Sequence, residues 1–266
     1  MSESINRAFM YGESVFTTMR MREGEVQDWD LHFERLKKGV DFVFGPFTDH
    51  EGWALDFKNR LEDRCLNETG DKILRLTAYL ESSRGLKRSG FCSIGELRLD
   101  LSVSTLDLLS SQPKNPRLRT CAAPVKPLWW PSYLKTGNYL ETILAQKMFL
   151  KVGEDDLLFL SPKDSVLESS VANIFVVEGR RLLTPPAGPQ VLEGVMRKKV
   201  LESAKEFFDE SAETEISIDQ LLKARAIFGT NSLRGPFLID SVDGFDYTHD
   251  QEFLGTFSLL RKRVLS

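Results

Sequence analysis

Apolar and polar side chains alternate through residues 72–80 and again through residues 95–103, with Leu74, Leu76, Ala78 and Leu80 set between Arg75, Thr77 and Tyr79. Successive side chains of a strand point to opposite faces, so this period predicts two strands, each buried on one side. Residues 14–21 are β-branched and aromatic and stop at the turn-like Glu23-Gly24-Glu25. They predict a third strand, with residues 26–29 at hairpin spacing from it. From Asp30 the period lengthens: Phe33, Leu36 and Val40 fall on one face of a helix that Asp30 is placed to cap. Residues 53–66 repeat the helical spacing.

Residues 107–118 break the pattern, being polar and carrying Pro113 and Pro116 without a period. The break divides the chain into an N-terminal α+β domain over residues 1–110, a linker over 111–118 and a C-terminal domain over 119–266. The second part predicts strands at 119–124, 156–160, 173–177, 181–184, 226–229 and 237–242, and helices over 138–147, 195–208 and 251–264. The class is mixed α and β.

Composition narrows what such a fold does. Of 266 residues 41% are apolar and 28% charged, as in an ordinary soluble globule. Lysine and arginine number 35 against 39 acidic residues, a net charge of −4, which argues against a nucleic-acid partner. No apolar run approaches the roughly 20 residues of a membrane span, and the N-terminus lacks the pattern of a secretory signal. Cys65, Cys92 and Cys121 are odd in number and scattered, as expected of thiols in a reducing cytoplasm. His32, His50 and His249 are dispersed, and CxxC and HExxH spacings are missing, so no metal site is expected. The GxSxG, GxxxxGK[ST] and GxGxxG signatures are missing too.

Chemistry is carried by a few positions. Lys135 lies among aromatics just before a predicted helix, where a depressed pKa would let it form a Schiff base; taken alone it also reads as a solvated lysine. Glu168, followed by small residues and a strand, could hold a pyridine nitrogen protonated. Leu192-Glu193-Gly194-Val195-Met196-Arg197 enters a helix whose N–H groups and dipole suit a phosphate. Thr230-Asn231-Ser232 offers hydroxyl, amide and backbone donors to the same group, and Arg35 a forked cation.

Taken in order, these stretches resemble one family. Arg7 through Phe16, His32-Phe33-Glu34-Arg35-Leu36, Lys135 with Asn138-Tyr139-Leu140, Glu168 with Asn173-Ile174-Phe175, Thr184-Pro185, residues 192–197 and Gly229 through Leu233 are similar to the class IV aminotransferases. The resemblance implies an α+β, two-domain fold type IV enzyme, like D-amino acid aminotransferase, with a smaller N-terminal α/β sandwich and a larger C-terminal domain. It implies pyridoxal 5'-phosphate as cofactor and a homodimer in the cytoplasm. Lys135 would hold the cofactor and move protons, and Glu168 would bind its pyridine nitrogen. Arg35, Asn173, the backbone of Val195 and Met196, Thr230 and Asn231 would complete the cofactor site, with Tyr139 near the ring. Tyr139 follows the lysine by four residues where branched-chain aminotransferases have five, and Met196 stands where a threonine often donates its hydroxyl.

Within the family three features tilt toward the 4-amino-4-deoxychorismate lyases. Thr17 stands where branched-chain aminotransferases carry Glu, Ser83-Arg84-Gly85 with Arg88-Ser89-Gly90-Phe91 looks like a lyase loop, and Thr230-Asn231-Ser232-Leu233 is similar to a lyase segment. Arg84 and Arg88 would then pair with a dicarboxylate substrate, and Thr18 would position the leaving group. The small-molecule substrate, an amine bearing carboxylates, would lose pyruvate and become 4-aminobenzoate. The alternatives are an aminotransferase acting on branched-chain or D-amino acids with 2-oxo acids, and a non-enzymatic scaffold with the same fold.

Overall fold

The structure, a computed structural model, describes residues 5–45, 70–82, 96–106, 112–122 and 132–266, with positions 52, 55, 58, 59 and 61. The described chain forms two units: Met1–Leu108 with Leu134–Tyr139, and Leu109–Tyr133 with Leu140–Ser266.

In the first unit the alternating stretch is β4 (Lys72–Ser82), paired antiparallel along its length with β5 (Glu96–Thr105) and with β2 (Ser14–Arg22). The pleat sends Val15, Met19, Met21, Leu74, Leu76, Ala78 and Leu80 to one face, where Leu36, Val40 and Phe44 of α2 (Trp29–Phe44) cover them. The opposite face carries Phe16 and Thr18 on β2 and Arg75 and Thr77 on β4, Thr18 in register with Arg75 and Phe16 with Thr77. Short β1 (Ile5–Asn6) pairs with the end of β4, and α1 (Arg7–Tyr11) follows, capped by the Asn6 side chain.

Two local expectations are corrected here. The hairpin partner β3 is only Glu25–Val26, and helix α2 already starts at Trp29, with Asp28 rather than Asp30 in the cap position. Asp28 takes a left-handed φ of 56° and makes no side-chain cap bond, so the chain turns too early for the strand to extend. The helix expected over 53–66 falls mostly outside the described residues, as do Arg84 and Arg88.

The second unit is organised around β9 (Asn173–Glu178), which pairs antiparallel with β8 (Val166–Ser169), β10 (Arg181–Thr184) and β12 (Ala226–Asn231). From β8 the sheet continues through β7 (Asp156–Leu160), β6 (Arg117–Cys121), β14 (Ser241–Val242) and β15 (Phe245–Asp246). Beyond β10 it ends on β11 (Glu210–Glu213), and β13 (Gly235–Leu238) pairs with β12. The stretch predicted as one strand over 237–242 is therefore two, and the helix predicted to run to 208 is α4 (Val195–Ala204) followed by turns. Helices α4 and α6 (Gln251–Leu265) bury Met196, Val200, Phe253, Phe257 and Leu260 against Phe175 and Phe228. Helix α3 (Leu140–Phe149) packs Ala145 with Leu157 and Phe159 of β7. Short α5 (Ile218–Leu222) opens on a capping box between Ser217 and Gln220.

Candidate active site

Lys135 sits in the segment Leu134–Tyr139 of the first unit. The segment is stitched to β2 by bonds from Phe16 N to Lys135 O (2.8 Å) and from Gly137 N to Ser14 O (2.9 Å). Gly137 lies so close to β2 that a Cβ there would have to displace the Ser14 hydroxyl. Lys135 is half-buried, and its Nζ stands 4.6 Å from the Phe16 ring centroid and 3.1 Å from the Tyr139 hydroxyl. Phe16 also carries the Arg75 guanidinium, 3.5 Å from its centroid, and the Tyr139 ring, 5.7 Å away. Partial burial lowers the Arg75 pKa, opposed by Tyr139. Charge over an aromatic face holds long cations in place at modest cost. Tyr139, spaced one residue short of the branched-chain pattern, therefore reaches the lysine amine, and Thr18 stands in register with Arg75.

On the helix-covered face of the same sheet, Arg35 is half-buried and its Nη2 donates to Thr17 Oγ1 at 2.9 Å.

In the second unit the sheet register assembles a second group. Glu168 pairs with Asn173 across β8 and β9, and Asn173 pairs with Thr230 across β9 and β12. All three are nearly inaccessible. Asn173 Nδ2 donates to Glu168 Oε2 (2.9 Å) and to Leu192 O (2.9 Å), and Leu192 N donates to the same Glu168 oxygen (3.0 Å). A carboxylate held by two donors keeps its orientation. Asn173 Oδ1 occupies the space a side chain at Gly194 would need, so glycine is required where the chain enters α4. Gly194 is the N-cap of that helix and brings no side-chain cap, leaving the first-turn N–H groups of Val195 and Met196 without that partner. Both residues are buried, and Thr230 Oγ1 is buried with no hydrogen-bond partner in the chain. An orphaned hydroxyl on the strand beside an uncapped helix start fits an anionic ligand with several acceptor oxygens. The residues present thus fit a cofactor phosphate. The Asn231 side chain accepts from Leu233 N (3.2 Å) and Arg234 N (2.9 Å) and donates from Nδ2 to Val171 O (3.4 Å).

Sequence reasoning missed several members of these groups. Arg75, and the bonding of Thr17 with His32, are visible only once β2, β4 and α2 are registered. Asp156, buried at the start of β7, is bonded by Ser170 Oγ, by Gln146 Nε2 (3.3 Å) and by Leu157 N (2.8 Å). It steadies the turn between Glu168 and Asn173. Burial pushes its carboxyl above the usual carboxylate range, against those hydrogen bonds. The strand β8 that carries Glu168 is not predicted from sequence, because its four residues, Val166-Leu167-Glu168-Ser169, make a short and half-polar stretch.

The fold is that of the fold type IV enzymes. The profile of amino-transferase class IV matches residues 14–242, so the chain belongs to the class IV aminotransferases, and it is a pyridoxal-phosphate-dependent enzyme. It is 26% identical to an aminodeoxychorismate lyase of Vibrio harveyi, over 86% of this chain and 83% of that one. It is 36% identical to a "probable branched-chain-amino-acid aminotransferase" of Staphylococcus aureus, over 80% of this chain and 63% of that one. The structure of 4-amino-4-deoxychorismate lyase from Pseudomonas aeruginosa superposes with a TM-score of 0.77 at 23% identity, covering 97% of this chain and 93% of that one.

Proposed function

We propose that this enzyme is a 4-amino-4-deoxychorismate lyase, releasing pyruvate and yielding 4-aminobenzoate, a folate precursor, in the cytoplasm. The observation that carries the reading is the polar face of the first sheet: the half-buried Lys135 amine stands on Phe16 beside the Arg75 guanidinium and in reach of Tyr139. Thr18 faces Arg75 in register. A guanidinium and a hydroxyl next to a proton-moving amine suit a carboxylate-bearing substrate that must shed a carboxylated fragment. The relatedness to the Vibrio harveyi lyase supports it.

When bound, pyridoxal phosphate supplies an electron sink for the pair left behind by proton removal. Lys135 takes the proton from the substrate carbon that bears the amine, and Tyr139 holds the lysine amine for that transfer. Arg75 binds a substrate carboxylate, and Thr18 steadies the departing enolpyruvate, whose C–O bond breaks as the ring becomes aromatic and which gains a proton to become pyruvate. No net oxidation occurs. Glu168, fixed by Asn173 and Leu192, would hold the pyridine nitrogen, and Arg35, Thr230 and the backbone of Val195 and Met196 would hold the phosphate. Arg84 and Arg88 are proposed as further carboxylate contacts. The domain division at 111–118 is proposed as the functional one.

A second reading, aminotransferase, is favoured by the higher identity to the Staphylococcus aureus protein. Visible absorbance of the holoenzyme during addition of 4-amino-4-deoxychorismate, with pyruvate assayed in the same cuvette, decides between them. A lysine-bound cofactor band that persists while pyruvate accumulates supports the lyase. Bleaching without pyruvate, reversed by a 2-oxo acid, establishes the aminotransferase instead.

The homodimer is supported by α3, which exposes Leu140, Ile143, Leu144 and Met148. These positions lie three and four residues apart, on one side of the helix. Sedimentation velocity checks it: a wild-type dimer that Leu144→Glu with Met148→Glu converts to monomer is expected, and a monomeric wild type rejects it.

A further inference from the structure

Thr17 is absorbed by none of the chemistry above, yet it is 1% exposed and polar in the middle of an apolar sheet face. Its hydroxyl is 2.7 Å from Nδ1 of His32, itself 1% exposed, and accepts from Arg35 Nη2 at 2.9 Å. The directions follow from the chemistry of the three groups. A guanidinium only donates, so the Thr17 oxygen accepts from Arg35, and the hydroxyl keeps one proton and a second lone pair with which to meet His32 Nδ1. Arg35 Nη2 also lies 3.5 Å from Nδ1, so a proton placed there would face a donor. Thr17 is β-branched and on a strand, which restricts χ1 and fixes where the oxygen points. His32 and Arg35 are three residues apart, on one face of α2. The chain Arg35 to Thr17 to His32 thus ties a cation on the helix to the strand that carries Phe16 and Thr18.

We propose that Thr17 is a positioning residue: with His32 it holds the Arg35 guanidinium in the orientation that receives the cofactor phosphate. The proposal rests on the assignment of Arg35 to the phosphate, made above, and the experiment separates the two.

Apoenzyme is titrated with pyridoxal phosphate and, separately, with pyridoxal, which can react with Lys135 but brings no phosphate. Thr17→Val is expected to weaken pyridoxal phosphate about tenfold while leaving pyridoxal unchanged, on the scale of a lost hydrogen bond to a charged group. Thr17→Ser is expected to restore the wild-type ratio of the two affinities. Equal weakening of both ligands in Thr17→Val marks a general loosening and overturns the proposal. Should Thr17→Val not fold, Thr17→Ala, which adds no bulk, is read the same way, and failure of both to fold assigns Thr17 a purely structural role. Arg35→Gln is the control. If it leaves the ratio unchanged, Arg35 does not meet the phosphate; if it lowers the ratio and the Thr17 variants do not, only the positioning role of Thr17 is lost.

Discussion

Glu168 illustrates how much a single carboxylate depends on its donors. Leu192 N and Asn173 Nδ2 both reach its Oε2, and Asn173 itself fits only because residue 194 lacks a side chain. Glu168→Gln retains an acceptor for both donors, so the local structure should persist while the negative charge is lost. Turnover is expected to fall about 100-fold, the size of effect typical when a group that tunes proton transfer is neutralised. Steady-state kinetics with saturating cofactor measures it, and unchanged turnover would remove Glu168 from the chemistry.

Among elements, β9 and β12 carry both the site and the core. One side of their pairing sets Asn173 beside Thr230, and the same two strands present Phe175 and Phe228 to the helices. Phe228 is inaccessible, stacked on Phe175 with centroids 5.0 Å apart and edge-on to Phe257 at 5.4 Å. Truncating it removes a large ring from between a sheet and α6. Phe228→Ala should therefore destabilise the protein by about 4 kcal/mol, read as a shift of the urea midpoint with unchanged slope. A loss below about 1 kcal/mol would mean that α6 repacks into the gap. Backbone fit matters equally at Gly229, where a Cβ would come within 2.7 Å of the Phe237 ring.

At the scale of the molecule, stability in acid rests on carboxylates paired with arginines. Asp250 caps α6 through Phe253 N (2.8 Å) and takes two 2.7 Å bonds from Arg225, which hold its pKa at about 2, below the ordinary 3.8. A carboxylate depressed in the folded state adds stability above its unfolded pKa and loses it as pH falls through the folded one. The contribution is full above about pH 4 and gone near pH 2. Glu213, hydrogen-bonded by Arg197, acts in the same direction. Asp156 acts oppositely, since burial raises its pKa and its ionisation opposes folding as pH rises. Asp250→Asn keeps an N-capping oxygen but loses the ion pair. Its melting temperature should lie below that of the wild type at pH 7, and the gap should close between pH 4 and pH 2. A gap independent of pH would show that the ion pair contributes nothing.

Periodicity and motif order, both local properties, made much of this protein legible from its sequence alone. Residues 72–80 and 95–103 alternate because each strand has one covered face, and they became β4 and β5. The order of the Arg35, Lys135, Glu168, Gly194 and Thr230 stretches pointed to the class IV aminotransferases, whose profile matches the chain. Short strands rich in polar residues carry little local pattern: β8 is Val166-Leu167-Glu168-Ser169, and β11, with Glu210 and Glu213 at its ends, reads as surface. Only the tertiary structure decided which residues meet. The register of β2 on β4 put Thr18 opposite Arg75, and the packing of α2 on β2 brought His32 and Arg35 to Thr17. Those pairings join residues far apart in sequence. They are set by strand register and helix packing, which balance burial over the whole sheet, so no short stretch of sequence encodes them.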